Sequence, residues 1–87
     1  MNLEDIEPGK SYACRFEVAC LLDATGTPLA DMVEGARPGV YKGLGVIVMR
    51  DSENRLVRVR DVEHSDHEYV VSWENCWDVD EVEWSDD

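Results

Sequence analysis

Basic residues are scarce in this sequence. Eight lysines and arginines stand against 20 aspartates and glutamates in 87 residues, which gives a formal net charge of −12. Phosphate groups are bound through cations, so this deficit argues against direct binding to nucleic acid or to an anionic membrane. The partner that such a surface favours is a basic protein.

Cysteines and long apolar runs are scarce as well. The three cysteines, Cys14, Cys20 and Cys76, are an odd number and make no disulfide framework, so we expect reduced thiols. No apolar run reaches the length of a membrane span. The first ten residues are acidic and have no apolar signal core. We therefore expect a cytoplasmic protein.

The acids are concentrated late in the chain. Residues 61–87 contain eleven acids and no lysine or arginine. Aromatic and aliphatic residues are interspersed with these acids, whereas disordered acidic tails are poor in both. Since 87 residues with 44% hydrophobic content suffice for one core, we expect a single domain over 1–87.

Alternation of apolar and polar residues predicts a mainly β protein. From residue 10 to residue 22 every even position is apolar or a thiol, which is typical of a half-buried strand. Gly43 and Gly45 predict a bulge or bend within the second strand. The pattern predicts five strands, at 10–22, 40–50, 56–62, 67–73 and 79–84.

One short helix is predicted after the first strand. Thr27 is a suitable N-cap, Pro28 suits the first helical position, and Gly35 suits the residue beyond the end. The predicted helix covers 28–34. The expected fold is therefore a small five-stranded antiparallel barrel or a strongly bent sheet with one short helix. An open twisted sheet that packs one helix is the alternative.

The order of these elements resembles the Src-homology-three-like small barrels, which include the Tudor and KOW domains. The resemblance rests on the long first strand at 10–22, the insert at 23–39, the hairpin at 40–62 and the turn at 74–77 before the last strand. It implies a five-stranded barrel. It implies no ligand, because small barrels have many functions.

The late acids form the candidate binding surface. Side chains on one face of a strand repeat every ~6.6 Å, and strands lie ~4.8 Å apart, so carboxylates held there approach the charge density of a nucleic acid. Trp77 lies among them and is a candidate hot spot. The candidate partner-binding residues are Asp61, Glu63, Asp66, Glu68, Glu74, Trp77, Asp78, Asp80, Glu81 and Glu83.

In size and charge the chain resembles the DNA-mimic inhibitors that phages use against restriction and CRISPR systems. This resemblance implies an acidic inhibitor that blocks a basic nucleic-acid-binding protein, in the host cytoplasm if the chain is phage-encoded. The alternative is a structural or adaptor module whose acidity serves solubility. That module would bind through a sheet edge or a hydrophobic patch.

Signals for catalysis, cofactors and metals are absent. No nucleophile stands at a recognisable spacing from a base, and no glycine-rich phosphate loop occurs. His64 and His67 do not match the ligand spacing of a zinc site. We expect no enzyme activity, no cofactor and no metal. The arginines at 50–60 form either a docking patch or cross-strand ion pairs.

Overall fold

Six β-strands dominate the structure, a computed structural model that describes residues 1–29 and 31–82. The strands are β1 (Ser11–Leu22), β2 (Pro28–Leu29), β3 (Arg37–Asp51), β4 (Leu56–Asp61), β5 (Glu68–Ser72) and β6 (Cys76–Val82). Two 3₁₀ turns, Leu3–Asp5 and Trp73–Asn75, precede β1 and β6. Among the described residues, no helix has the length and apolarity needed to cross a membrane.

The long strand β1 pairs along both of its edges in an antiparallel sheet. One of its edges pairs with β3 without interruption, from Tyr12 opposite Ile47 to Leu22 opposite Arg37. Its other edge is shared between β6 and β2. β4 pairs with β3 and β5 pairs with β4, so the sheet order is β2-β1-β3-β4-β5 with β6 also beside β1.

The sheet is bent around one core, as the sequence predicts. The even positions Tyr12, Cys14 and Phe16 of β1 are buried, which confirms the alternation there. The sheet is not closed into a barrel: the outer edge of β5 pairs with no other described strand. The 3₁₀ turn Trp73–Asn75 follows β5 directly, and the next strand, β6, pairs with β1 and not with β5.

The helix predicted over 28–34 is wrong. Pro28 and Leu29 instead pair with Leu22 and Leu21 as β2, and residues 31–36 form a bend and a turn. Asp23 explains the difference. Its Oδ1 accepts hydrogen bonds from the backbone N–H groups of Thr25 and Thr27, at 2.8 and 2.9 Å. This local turn returns the chain to β1.

Gly43 and Gly45 do not mark a bulge against β1, because the β1–β3 register continues through them. They permit close packing on the inner face instead. A Cβ on Gly45 would overlap Val59 and lie 2.8 Å from the carbonyl oxygen of Arg60 and 3.0 Å from Phe16. A Cβ on Gly43 would meet only the ring of Tyr41, at 2.9 Å.

These contacts predict unequal effects of two matched substitutions. Gly45→Ala forces a methyl group against backbone and core, and we expect it to lower the free energy of unfolding by about 1–3 kcal/mol. Gly43→Ala should cost less, because the half-buried Tyr41 ring can swing away. Urea denaturation of both variants measures the difference. Equal losses would contradict the packing assigned to Gly45.

Candidate partner-binding surface

The last strand, β6, exposes more side chains than a regular strand does. Its exposed residues come in two consecutive pairs, Trp77 with Asp78 and Asp80 with Glu81. Cys76, Val79 and Val82 lie between these pairs and are half-buried. The exposure of Trp77 agrees with the sequence prediction. Glu83 and Trp84, at the end of the predicted strand 79–84, lie outside the described residues.

An irregularity in the β1–β6 ladder accompanies this pattern. The register shifts between Ala13 and Arg15 of β1, and Asp78 opposite has a left-handed backbone with φ of 52°. Bulges re-aim side chains, and a left-handed non-glycine residue costs free energy. The strand therefore keeps a strained conformation that turns Trp77 and Asp78 outward together.

The carboxylates of β6 are only weakly compensated by bases. Asp78 is 71% exposed and lies 3.8 Å from the Nε of Arg15. Glu81 also lies 3.8 Å from Lys10, which makes a closer ion pair of 2.6 Å with Glu7. Exposed pairs of this kind contribute little free energy. The negative charge of β6 is thus available to a partner.

The other candidate acids do not join β6 in one face. Glu63 and Asp66 are exposed in the turn between β4 and β5, at the opposite side of the sheet order. Glu68 pairs with Arg60 at 3.2 Å, and Glu74 pairs with Arg55 at 2.8 Å. Asp61, expected on the acidic surface, is fully buried.

The arginines at 50–60 are used largely within the protein. Arg50 donates hydrogen bonds to the carbonyl groups of Leu3 and Ile6, at 3.3 and 2.6 Å, and so holds the N-terminal 3₁₀ turn over the core. Arg55 and Arg60 make the ion pairs described above. Arg58 faces Val70 and not the expected acid. Internal pairing therefore accounts for three of these arginines.

The buried Asp61 lies at the end of β4 and organises the turn that follows. Its Oδ1 accepts hydrogen bonds from the backbone N–H groups of Glu63 and His64, at 2.9 and 3.3 Å. Its Oδ2 is also buried, and the hydroxyl of Tyr41 is the side-chain donor beside this carboxyl group. The sequence carried a signal for this burial, because Asp61 has the same strand parity as the buried Val57 and Val59.

Aromatic rings surround this carboxylate in a cluster that sequence reasoning missed. The ring centroids of Phe16, Tyr41 and Tyr69 lie 5.6–6.0 Å apart, and the ring of His64 lies 6.4 Å from that of Tyr41. Burial and the Asp61 carboxylate raise the pKa of Tyr41 and raise that of Tyr69 to about 12. Both hydroxyls therefore stay protonated at neutral pH.

A second missed contact joins two cysteines. Cys14 is buried and Cys76 is half-buried, and their thiols lie close together, while the Cys76 thiol donates to the backbone carbonyl of Ser72 at 3.7 Å. The interaction with Cys76 and burial raise the pKa of Cys14, and the interaction with Cys14 lowers the pKa of Cys76. Cys14 is a core residue, as its position in β1 predicts. Cys20 is half-buried near the end of β1.

The comparisons with known proteins add no relative. No protein-family model, curated protein or solved structure matches this chain. Within residues 1–29 and 31–82, no three His, Cys, Asp or Glu side chains are grouped so that they could hold a metal ion. The geometry of the chain itself is therefore the basis for any functional assignment.

The contacts of Glu74 predict a structural role for this acid. Hydrogen bonds from Ser72 and Arg55 lower the pKa of Glu74 to about 2, from a usual 4.5. Because the pKa of Glu74 is lower in the folded protein than in the unfolded chain, its ionised form stabilises the fold, and this stabilisation is complete above the unfolded pKa of 4.5. It is lost as the pH falls from about 4.5 to about 2. Glu74→Gln has no carboxyl group to protonate at this position, so it should lose less stability than wild type as the pH falls through this range.

The measurement is urea denaturation of wild type and Glu74→Gln from pH 6 to pH 2. The stability difference between them should shrink through this window. Glu53→Gln is the control, because Glu53 is exposed in the β3–β4 loop and makes no ion pair with any described residue. A difference that stays constant with pH would show that the contacts of Glu74 do not stabilise the fold.

Proposed function

We propose that this protein is an acidic protein-binding inhibitor that mimics nucleic acid and blocks a basic nucleic-acid-binding protein. The phage inhibitors of restriction and CRISPR systems are the type it resembles. The observation that carries the proposal is the exposed run on β6, where Trp77 lies beside the carboxylates of Asp78, Asp80 and Glu81. A fixed strand presents these groups, so binding needs little ordering of the backbone.

The proposed mechanism has an electrostatic and a short-range part. The net charge of −12 draws a basic groove toward the protein and raises the rate of association. Trp77 is 39% exposed, so it can bury a large apolar area in the complex and slow dissociation. Such binding weakens as salt rises, because exposed charges are screened.

The strand order supports the proposed relation to the Src-homology-three-like barrels. β1, β3, β4 and β5 form a meander, and β6 follows a 3₁₀ turn and returns to pair with β1. This relation concerns the fold and leaves the partner to be decided by the surface.

A second candidate function rests on the outer face of the sheet. Four apolar side chains there are 41–57% exposed, and one of them, Leu44, lies opposite Arg15 of β1. Exposed apolar patches on small proteins mark interaction sites. This face favours a structural or adaptor module that binds through apolar contacts. The four side chains are Leu44, Val48, Val62 and Val70.

Substitutions on β6 test the inhibitor proposal. The triple variant Asp78→Asn, Asp80→Asn, Glu81→Gln should reduce recovery of a basic partner from host lysate several-fold. The matched control neutralises three acids elsewhere, in Asp31→Asn, Glu34→Gln, Glu53→Gln, and so has the same net charge. It should retain the partner. Pull-down at low and high salt, with mass spectrometry, measures both variants.

The outcomes of this experiment separate the two candidates. Loss of the partner at high salt and in competition with DNA supports the inhibitor. A partner that resists high salt and is lost in Leu44→Ser, Val62→Ser would support the adaptor and overturn the inhibitor. Equal losses in the triple variant and its control would show that net charge alone, and not the β6 surface, determines binding.

A further inference from the structure

The outer face of the sheet carries one continuous row of side chains across four strands. Residues that lie directly opposite each other in an antiparallel pair point to the same face. Trp77 of β6 lies opposite Arg15 of β1, and Arg15 lies opposite Leu44 of β3. The carbonyl group of Leu44 accepts a hydrogen bond from the N–H of Val62, at the end of β4. Trp77 and the exposed apolar side chains therefore belong to one surface.

A groove and a protruding ring lie on opposite sides of this surface. The groove has a volume of about 700 Å³, and its apolar wall is formed by Val46, Val48 and Val62 of the β3–β4 side. Trp77, on the β6 side, is 39% exposed. A two-fold axis between two copies exchanges the sides, so the ring of each copy faces the groove of the other. The surface is therefore complementary to itself in shape.

Two unpaired charges on this surface have the same two-sided arrangement. Asp80 of β6 and Arg58 of β4 are both exposed, and neither makes an ion pair with a described residue. β1 and β3 lie between them in the sheet order. An axis along the strands, between β1 and β3, places β6 of one copy over β4 of the other. Asp80 of each copy then meets Arg58 of the second copy.

The bases of the chain are concentrated on this surface. The net charge of −12 opposes association of two copies, so the local balance of charge decides whether the surfaces can meet. Charges that lie more than ~8 Å apart are largely screened at physiological salt. Four of the eight lysines and arginines lie on the outer face, so it is far less negative than the chain as a whole. They are Arg15, Lys42, Arg58 and Arg60.

We propose that this protein forms a two-fold symmetric dimer through the outer face of its sheet, in which Trp77 of each copy fills the groove beside Val62 of the other. Four strands spaced ~4.8 Å apart make a face only about 20 Å wide, which is small for a tight dimer. We therefore expect dissociation at micromolar concentrations. The dimer goes beyond the proposed inhibitor and does not depend on it, although a second copy and a basic partner compete for Trp77.

The first test is sedimentation of the pure wild-type chain from micromolar to millimolar concentration at physiological salt. We expect the average mass to rise from one chain toward two chains and no further, because a two-fold contact closes on itself. A chain that stays monomeric at millimolar concentration would overturn the proposal. Growth beyond two chains would overturn the closed two-fold arrangement.

An exchange of charge tests how the two copies are oriented. Asp80→Arg and Arg58→Asp each place like charges at both contacts of the dimer, so each variant alone should associate at least about ten-fold more weakly than wild type. An equal mixture of the two variants restores opposite charges at both contacts. Heterodimers should therefore form with the affinity of wild type. A mixture that remains as weakly associated as the single variants would overturn this arrangement.

Matched controls reverse the same charges away from the outer face. Glu53→Arg lies in the β3–β4 loop, and Arg37→Asp lies at the start of β3. Neither native residue makes an ion pair with a described residue, and the two controls change the net charge by the same amounts as the test variants. Both controls should associate as wild type does. Equal losses in controls and test variants would show that net charge, and not this face, determines association.

Isotope-filtered NMR of a mixture of labelled and unlabelled wild-type chains identifies the contact itself. We expect nuclear Overhauser effects between the indole of Trp77 in one copy and the methyl groups of Val62 in the other. Their absence in a sample that sediments as a dimer would overturn the assigned face. Trp77→Ala should weaken the dimer several-fold and, unlike the charge variants, should not be rescued by mixing with either of them.

Arg58→Asp separates the dimer from the inhibitor proposal. It breaks the dimer contact but leaves every residue of β6 in place. If the dimer forms and this variant still recovers a basic partner from lysate, both proposals stand. Wild type that stays monomeric overturns the dimer alone, and a dimer whose Arg58→Asp variant recovers no basic partner counts against the inhibitor alone.

Discussion

The fold depends on the pairing of β1 along both of its edges. One edge is occupied by β3 over its whole length, and the other holds β6 and the two-residue strand β2. With both edges used, the side chains of β1 are fixed in direction, and Tyr12, Cys14 and Phe16 form the centre of the core. β4 and β5 then extend the sheet from β3 and bend over this row. Gly45 permits this close packing, because a Cβ there would meet both Phe16 and Val59.

The proposed binding surface follows from the same arrangement. β6 must pair with β1 where Cys14 faces inward, and the thiol of Cys76 packs against that of Cys14. The register shift that follows places Asp78 in a left-handed conformation and turns two adjacent residues to solvent. Aspartate accepts this conformation more readily than most residues, because its short polar side chain bonds locally. The strain is thus located at the strand that carries the proposed partner contacts, where such strain is often found.

Patterns that depend on neighbours in sequence were predictable, and those that depend on distant contacts were not. The alternation in β1 predicted the buried Tyr12, Cys14 and Phe16, whereas the later even positions of the strand are only half-buried. The helix at 28–34 failed because Asp23, four residues before Thr27, takes the N–H of Thr27 into its own turn. Asp61 was predicted to be exposed because it is charged. Its position in the strand indicated burial instead, since it lies on the same face as Val57 and Val59. The aromatic rings around it come from β1, β3, β5 and a turn, which no local pattern connects.

The charge of Asp61 is not explained by its place in the turn. Its Oδ1 alone holds the backbone of Glu63 and His64, and the neutral amide of an asparagine would do the same without burying a charge. Asp51 shows the difference, since both of its oxygens are hydrogen-bonded to Asn54 at a solvent-accessible loop. The second oxygen is explained by the aromatic cluster on the other side. The hydroxyl of Tyr41, which stays protonated at neutral pH, is a donor beside the same carboxyl group, so a residue with two acceptor oxygens serves the turn and the cluster together.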